Sequence, residues 1–284
     1  MEDGAVLPVT GEKVSARLGS GVDKTGKIEA SRIPLAAEAI RLFARIAALN
    51  GASETAVLAT SAVRDATNSS DLIDEVVRAG LEMRLISGEE EALLGFRGAV
   101  SALGPGFSVK GKKALVVDLG GGSAQLILGD LERGPEKQVS LPLGSNRLTE
   151  RYVDHDPPEP RELEALREAV LEKLPTGWVL PEETEVVAIG GSARAILRLT
   201  RHRITAGHLG KLAAEISTKP SAVLAREEGL APERARVMPA AIAMLAAVLE
   251  HFGRPSLNVV RGGIREGAIL VMADEAGADP KRGS

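Results

Sequence analysis

The sequence predicts an α/β protein of two domains meeting in a cleft. Three observations carry that prediction. Strand-like apolar runs alternate with segments of helical period along the chain. Three of those runs end in consecutive glycines: VVDLGGGS (116–123), VAIGGSA (187–193) and NVVRGGIREG (258–267). A turn-rich connector, GPGFSVKGKK (104–113), separates two stretches that each carry strands and helices.

The elements follow in chain order. PLAAEAIRLFARIAAL (34–49) places Leu35, Ala39, Leu42, Phe43 and Ile46 at helical spacing, and Asn50-Gly51 closes the helix as a C-cap. TAVLAT (55–60) reads as a strand, and the Asn and Ser residues of SAVRDATNSS cap a helix from about Asp71 to Ala79. LEMRLIS (81–87) is a second strand, leading into a helix from Gly88 to about Ala102. Residues 113–144 read as three strands, KALVVDL, SAQLILGD and KQVSLPL, separated by Gly-rich turns. Helices follow at about 145–153 and 160–174, the second with Leu163, Leu166, Val170 and Leu174 on one face. EVVAIGGSARAILRLT then repeats the strand, Gly-Gly, helix order, residues 206–252 are mostly helical, and SLNVV enters the GGIREG turn as the last strand.

Composition excludes several function classes. The net charge is −4 and there are six aromatic residues, so neither a global attraction to nucleic acid nor a base-stacking surface is available. Cysteine is absent, which removes disulfides, thiolate metal sites and thiol nucleophiles. The start, MEDGAVLPVTGEK, lacks the pattern of a signal peptide, and the longest apolar run, Val237–Leu249, is about half a membrane span and contains Pro239. A cytoplasmic protein with no membrane partner is expected. The four histidines have no metal-ligand spacing, and neither H-E-x-x-H nor G-x-S-x-G occurs.

The glycine turns point to anions. Glycine lets a ligand approach the main chain and lets successive N–H groups converge on it, and two of the turns open helices at Ser192 and Ile264. A lone turn of this kind is better explained as a tight bend or bulge, and it is the three together that point to phosphate; none has the spacing of a P-loop or a dinucleotide fingerprint. Asp118 precedes three glycines at a strand end, where it either caps its own turn or holds Mg²⁺ beside a bound phosphate. In ISGEEEALLGF (86–96), Ser87 and Glu90 have capping-box spacing, and Glu89 complements the helix dipole. That leaves Glu91 as the carboxylate able to act as a general base on a water. Arg64, Arg147, Arg194 and Arg265 lie near turns or strand ends, where each either binds phosphate or forms a surface ion pair.

Taken in order, ATSAVRDA (59–66), ISGEEEA (86–92), VVDLGGGSAQLILG (116–129), LPLGSNRLTERY (141–152), AIGGSA (188–193) and GGIREG (262–267) resemble the signature blocks of the exopolyphosphatase / guanosine pentaphosphate phosphohydrolase (Ppx/GppA) family. The resemblance implies an actin-like, ribonuclease-H-like (ASKHA) α/β fold with a central cleft. Domain I would span 1–111, joined by the C-terminal helix 268–284, and domain II would span 112–267. It implies Mg²⁺-dependent release of terminal phosphate from inorganic polyphosphate or pppGpp, without a nucleic-acid polymer as partner, and allows a homodimer. By motif, Glu91 matches the catalytic base, and Arg64 an arginine that contacts the polyanion. Asp118, Gly120, Gly121, Gly122 and Ser123 match a phosphate loop, and Gly190, Gly191 and Ser192 a further one.

Two departures accompany the resemblance. Family members open with a strand bearing a D-x-G-S-N-S phosphate loop, whereas MEDGAVLPV resembles the second strand, so the first strand of domain I is expected to be missing through a late-called or alternative start. The family's G-G-G-S-T-E reads GGGSAQ, so that Gln125 keeps a carbonyl where a charged carboxylate would help hold the metal. Metal binding is then expected at Asp118 and Gln125, with reduced activity, and a non-catalytic polyphosphate- or nucleotide-binding protein stands as the alternative. The chain also resembles short family members, which favours short polyphosphate or pppGpp over long chains.

Overall fold

The computed structural model describes residues 6–103, 111–200 and 204–278. The chain divides into two compact units, Met1–Glu91 and Ala92–Ser284. The division falls inside a helix, where the sequence suggests one near residue 111, and the C-terminal helix groups with the second unit rather than the first. Gly104–Lys110 of the connector lie outside the described residues, as do Met1–Ala5; Val6–Val9 form no strand.

The first unit holds α1 (Val22–Thr25), α2 (Arg32–Leu49), β1 (Val57–Ala59), α3 (Ser61–Arg64), α4 (Ser69–Arg78), β2 (Met83–Leu85) and the first turn of α5 (Gly88–Ser101). β1 and β2 pair in parallel, with Val57 opposite Met83 and Ala59 opposite Leu85. Leu72 and Val76, four residues apart on α4, are fully buried and pack with Ile28, Ile33, Ala36 and Val63. The buried face of α2 is only partly the expected one: Ala39 is buried as expected, but with Ile33 and Ala36, while Leu35 is 49% and Leu42 48% exposed. Helix α2 carries apolar residues on two stripes, and it packs against α4 with the one that holds Ile33, Ala36, Ala39 and Ile40. Asn68 does not cap α4 with its side chain; its amide accepts from the Ile28 N–H at 2.8 Å and donates to the Ile28 carbonyl at 3.0 Å.

The second unit is built on a six-stranded sheet of β3 (Lys113–Leu119), β4 (Ala124–Asp130), β5 (Gly134–Leu141), β6 (Glu185–Ile189), β7 (Ile204–Thr205) and β8 (Ser256–Val259), in the order β5-β4-β3-β6-β8-β7. β3 is covered on both faces, which explains why KALVVDL is a continuous apolar run rather than an alternating one. β3, β6 and β8 are parallel, and the antiparallel β4 links β3 to β5. The turns that follow β3, β5, β6 and β8 therefore open at one end of the sheet, where ligands of α/β proteins bind.

Helices α6 (Ser145–Tyr152), α7 (Pro160–Lys173), α8 (Gly191–Thr200), α9 (Ala206–Ile216), α10 (Ser221–Glu228), α11 (Pro232–His251) and α12 (Ile264–Ala278) complete the unit. α11 is apolar around nearly its whole circumference and packs on α6, α7, α8, α9 and α10, so the run Val237–Leu249 is a core helix as expected. Among the described residues no helix is long and apolar enough to cross a membrane. In the third glycine turn the glycines serve packing. A Cβ on Gly262 would overlap the Gly98 carbonyl of α5, and one on Gly267 would overlap the Leu94 carbonyl.

Candidate functional site

In the first unit, α5 begins where Ser87 Oγ accepts the Glu90 N–H at 3.1 Å. The expected capping box is only half formed, because the Glu90 carboxylate pairs with Arg84 instead of reaching back. Glu91, next along the turn, is 8% exposed. Burial pushes its carboxyl above the ordinary range, against the Arg64 charge and hydrogen bond and the Ser61 N–H, which pull it down, while the nearby Asp65 pushes it up. Arg64, at the end of α3, is held by a 2.6 Å bond to the Ile86 carbonyl and reaches Glu91 Oε2 only at 3.5 Å. The structure thus brings Glu91 and Arg64 together, as a loosely held pair. A buried carboxylate with a raised pKa and an incompletely committed cation is a workable proton acceptor next to an anion.

In the second unit, the β3–β4 hairpin sets Asp118 directly opposite Gln125. Gly120–Ser123 forms the turn, closed by a 3.0 Å bond from the Gly120 N–H to the Ser123 carbonyl. Two carbonyls of this loop are engaged by α6: Gly120 O accepts from the Ser145 N–H at 3.0 Å, and Gly121 O from the Asn146 and Arg147 N–H groups at 2.9 and 3.1 Å. The first turn of α6 is therefore capped by the loop's backbone rather than by a side chain. Gly144 makes this possible, since a Cβ there would overlap the Gly121 carbonyl and the Gly122 carbonyl carbon. The Gly121, Gly122 and Ser123 N–H groups make no hydrogen bond to another described residue. With the Gly120 and Gly121 carbonyls pinned by α6, the loop presents three consecutive donors, the arrangement that holds an anion.

The β6 turn lies alongside, because Asp118 also pairs with Ile189. Gly190 takes φ +104, and a Cβ there would sit 2.6 Å from the Leu119 carbonyl oxygen and 3.3 Å from Asp118 Oδ1. Only glycine suits both the backbone angle and that approach. Ser192, 1% exposed at the start of α8, accepts from Arg234 Nη1 at 2.6 Å and lies 3.2 Å from the buried Ser145 hydroxyl. With Arg234 donating, Ser192 is free to donate to Ser145, which lies 3.4 Å from the Gly120 carbonyl and donates to it. A side-chain relay thus joins α11, α8, α6 and the glycine loop.

Sequence reasoning missed Ser145 and Arg234. Ser145 had a signal, since a glycine-serine pair follows β3, β5 and β6 alike, at Gly122-Ser123, Gly144-Ser145 and Gly191-Ser192. Arg234 had none in its own neighbourhood.

Gln125 Nε2 donates to Ser123 Oγ at 3.0 Å and to Ser140 Oγ at 3.5 Å. Among the described residues no three His, Cys, Asp or Glu side chains gather as a metal site. Asp118 and Gln125 offer one carboxylate and one amide in cross-strand register. That donor set fits Mg²⁺, which binds through one or two carboxylates together with substrate phosphates and waters, and does not fit an ion needing an all-protein cage.

Comparison with known proteins gives a concordant picture. The model of the Ppx/GppA phosphatase family matches residues 1–276. Exopolyphosphatase 1 of Mycobacterium tuberculosis is 31% identical over 287 residues, covering 95% of this chain and 82% of that protein. Guanosine-5'-triphosphate,3'-diphosphate pyrophosphatase of Aeromonas hydrophila is 30% identical over 277 residues, covering 94% of this chain and 54% of that protein. The crystal structure of the Aquifex aeolicus member of the same family superposes with a TM-score of 0.78 at 24% identity, over 93% of this chain and 88% of the other. That likeness shows the fold, a mixed α/β architecture on a central sheet consistent with the actin-like class expected from the motifs.

Proposed function

This chain belongs to the Ppx/GppA phosphatase family, and on that premise we propose that it hydrolyses the terminal phosphoanhydride bond of inorganic polyphosphate, of pppGpp, or of both, in the cytoplasm. The observation that carries the reading is the loop at Gly120–Ser123, in which the Gly121, Gly122 and Ser123 N–H groups are unengaged among the described residues while the Gly120 and Gly121 carbonyls are tied to α6. Such a loop binds a phosphate oxygen without needing a side chain. Glu91 is the base: it takes a proton from water as the water oxygen attacks the terminal phosphorus. The bridging P–O bond breaks, its electrons stay on the shortened chain, and orthophosphate leaves. Arg64 contributes twice, by contacting the polyanion and by keeping part of the Glu91 population ionised. Mg²⁺, held by Asp118 with Gln125, would supply neutralising charge on the phosphate oxygens.

A second reading, a binding protein with impaired turnover, is favoured by one observation. Gln125 is neutral and spends its amide on Ser123 and Ser140, so the loop region has Asp118 as its carboxylate. Orthophosphate release from polyphosphate and from pppGpp, measured for the wild type and for Glu91→Gln, separates the readings. Release that depends on Glu91 supports the hydrolase, and saturable binding of either substrate without release supports the binder.

A further inference from the structure

Three exposed leucines, Leu35, Leu42 and Leu49, lie seven residues apart on α2 in the first unit. With Ala39 and Ile46 between them they step along the helix by four and three residues in turn, the spacing with which one helix packs along another. On a helix turning about 100° per residue these five fall within about 80° of arc. The unit's own core is met by the neighbouring stripe of Ile33, Ala36 and Ile40. Ala39, on the border of the two stripes, is buried, whereas Leu49 is 78% exposed. Charges flank the seam on the side away from that core. Glu38 and Arg45, both exposed, occupy the same heptad position on successive turns of the pattern. Glu38 pairs with Arg41 of its own helix at 2.6 Å, and Arg45 forms no ion pair with a described residue.

We propose that this face of α2 docks antiparallel on the same face of a second copy of the chain, forming a reversible homodimer. Charge selects the orientation and the register. With the two-fold axis between Ala39 and Leu42, Leu35 faces Ile46 of the second copy, and Leu42 packs over the small Ala39. Each Glu38 then meets the Arg45 of the other copy, twice by symmetry. With the axis between Leu42 and Ile46 instead, the two Arg45 side chains would meet and repel. A parallel pair sets Glu38 beside Phe43 and Arg45 beside Asn50, with no charge complement. One helix face per copy is small beside the ~800 Å² per partner typical of stable complexes, so the dimer forms and dissociates with concentration.

Sedimentation equilibrium of the full chain across the micromolar range, at low salt, is expected to show monomer and dimer in equilibrium. Leu42→Glu replaces an exposed side chain, so it should leave the fold intact and weaken association about tenfold or more. Arg45→Glu sets like charges against each other and should weaken it severalfold, and adding Glu38→Arg, which exchanges the two charges, should restore it. The chain has no cysteine, so engineered thiols report the register without background. Oxidising a mixture of Leu35→Cys and Ile46→Cys chains should give a disulfide-linked dimer. Either variant alone should give little, because its two thiols would lie about 16 Å apart along the helix pair. A chain that stays monomeric throughout the range overturns the proposal and leaves the face to a segment of different sequence. A dimer whose affinity changes with neither Leu42→Glu nor Arg45→Glu overturns it as well, as does cross-linking of either cysteine variant alone as readily as of the mixture.

Discussion

Replacing Gly144 by alanine sets two effects against each other, and the structure decides which wins. Gly144 has φ −68 and ψ 151, an ordinary extended conformation for alanine. On backbone grounds alone the change would stabilise the protein by about 0.4–1 kcal/mol, through the lost freedom of the unfolded chain. The added Cβ, however, would overlap the Gly121 carbonyl oxygen and the Gly122 carbonyl carbon, both main-chain atoms that cannot swing aside. Relief requires α6 to withdraw from the loop, at the expense of the Ser145, Asn146 and Arg147 N–H bonds to Gly120 and Gly121. At about 1 kcal/mol net for each bond, less the backbone gain, Gly144→Ala should destabilise by about 2 kcal/mol. Urea unfolding followed by far-UV circular dichroism measures this as a lower midpoint at unchanged slope. The loosened loop should also lower orthophosphate release. A variant as stable as the wild type, or more so, would refute the account of how α6 holds the loop.

The other predictions draw on separate parts of the molecule. Gly210 lies inside α9 with nothing within 4 Å of where an alanine methyl would stand, so Gly210→Ala should stabilise by about 0.5–1 kcal/mol in the same urea titration. The acid limb of the pH–rate profile should lie above the ordinary carboxylate range, because Glu91 must be ionised to act and its pKa is raised. Arg64→Gln removes a charge that lowers that pKa, so the limb should move to still higher pH in a profile of kcat. Burial raises the Glu162 carboxyl, but bonds from the His155 ring and from the Glu159, Asp154 and His155 N–H groups outweigh it and hold the group at about 2, against 4.5 when unfolded. A depressed pKa stabilises fully above the unfolded value and is lost as pH falls from 4.5 toward 2, so the stability lead of wild type over Glu162→Gln should shrink across that window.

How much of this was legible depended on whether the signal was local. The β3 run was readable because a strand covered on both faces has no polar alternation, and the glycine-serine loop because its residues are consecutive. Glu91 emerged from the Ser87 cap even though Glu90 turned to Arg84 rather than completing the box. The buried face of α2 was misread because a helical period identifies an apolar stripe without saying which of two stripes meets α4. Its leucines stay outside, while Ile33, Ala36 and Ala39 face inward. GGIREG looks like a ligand turn in sequence, yet Gly262 and Gly267 are required by the close passage of α5, a contact that depends on residues distant in the chain. The relay from Arg234 to Gly120 was out of reach for the same reason: it crosses three helices, and only folding brings its members together.

The central claim, that Glu91 activates water for attack on a terminal phosphate, is tested most directly by orthophosphate release from short polyphosphate and from pppGpp, with wild type and Glu91→Gln compared at saturating substrate. The account predicts turnover by the wild type on at least one of the two and a fall in kcat of about 10²–10⁴-fold in a folded Glu91→Gln protein. Equal turnover by the two proteins would contradict it.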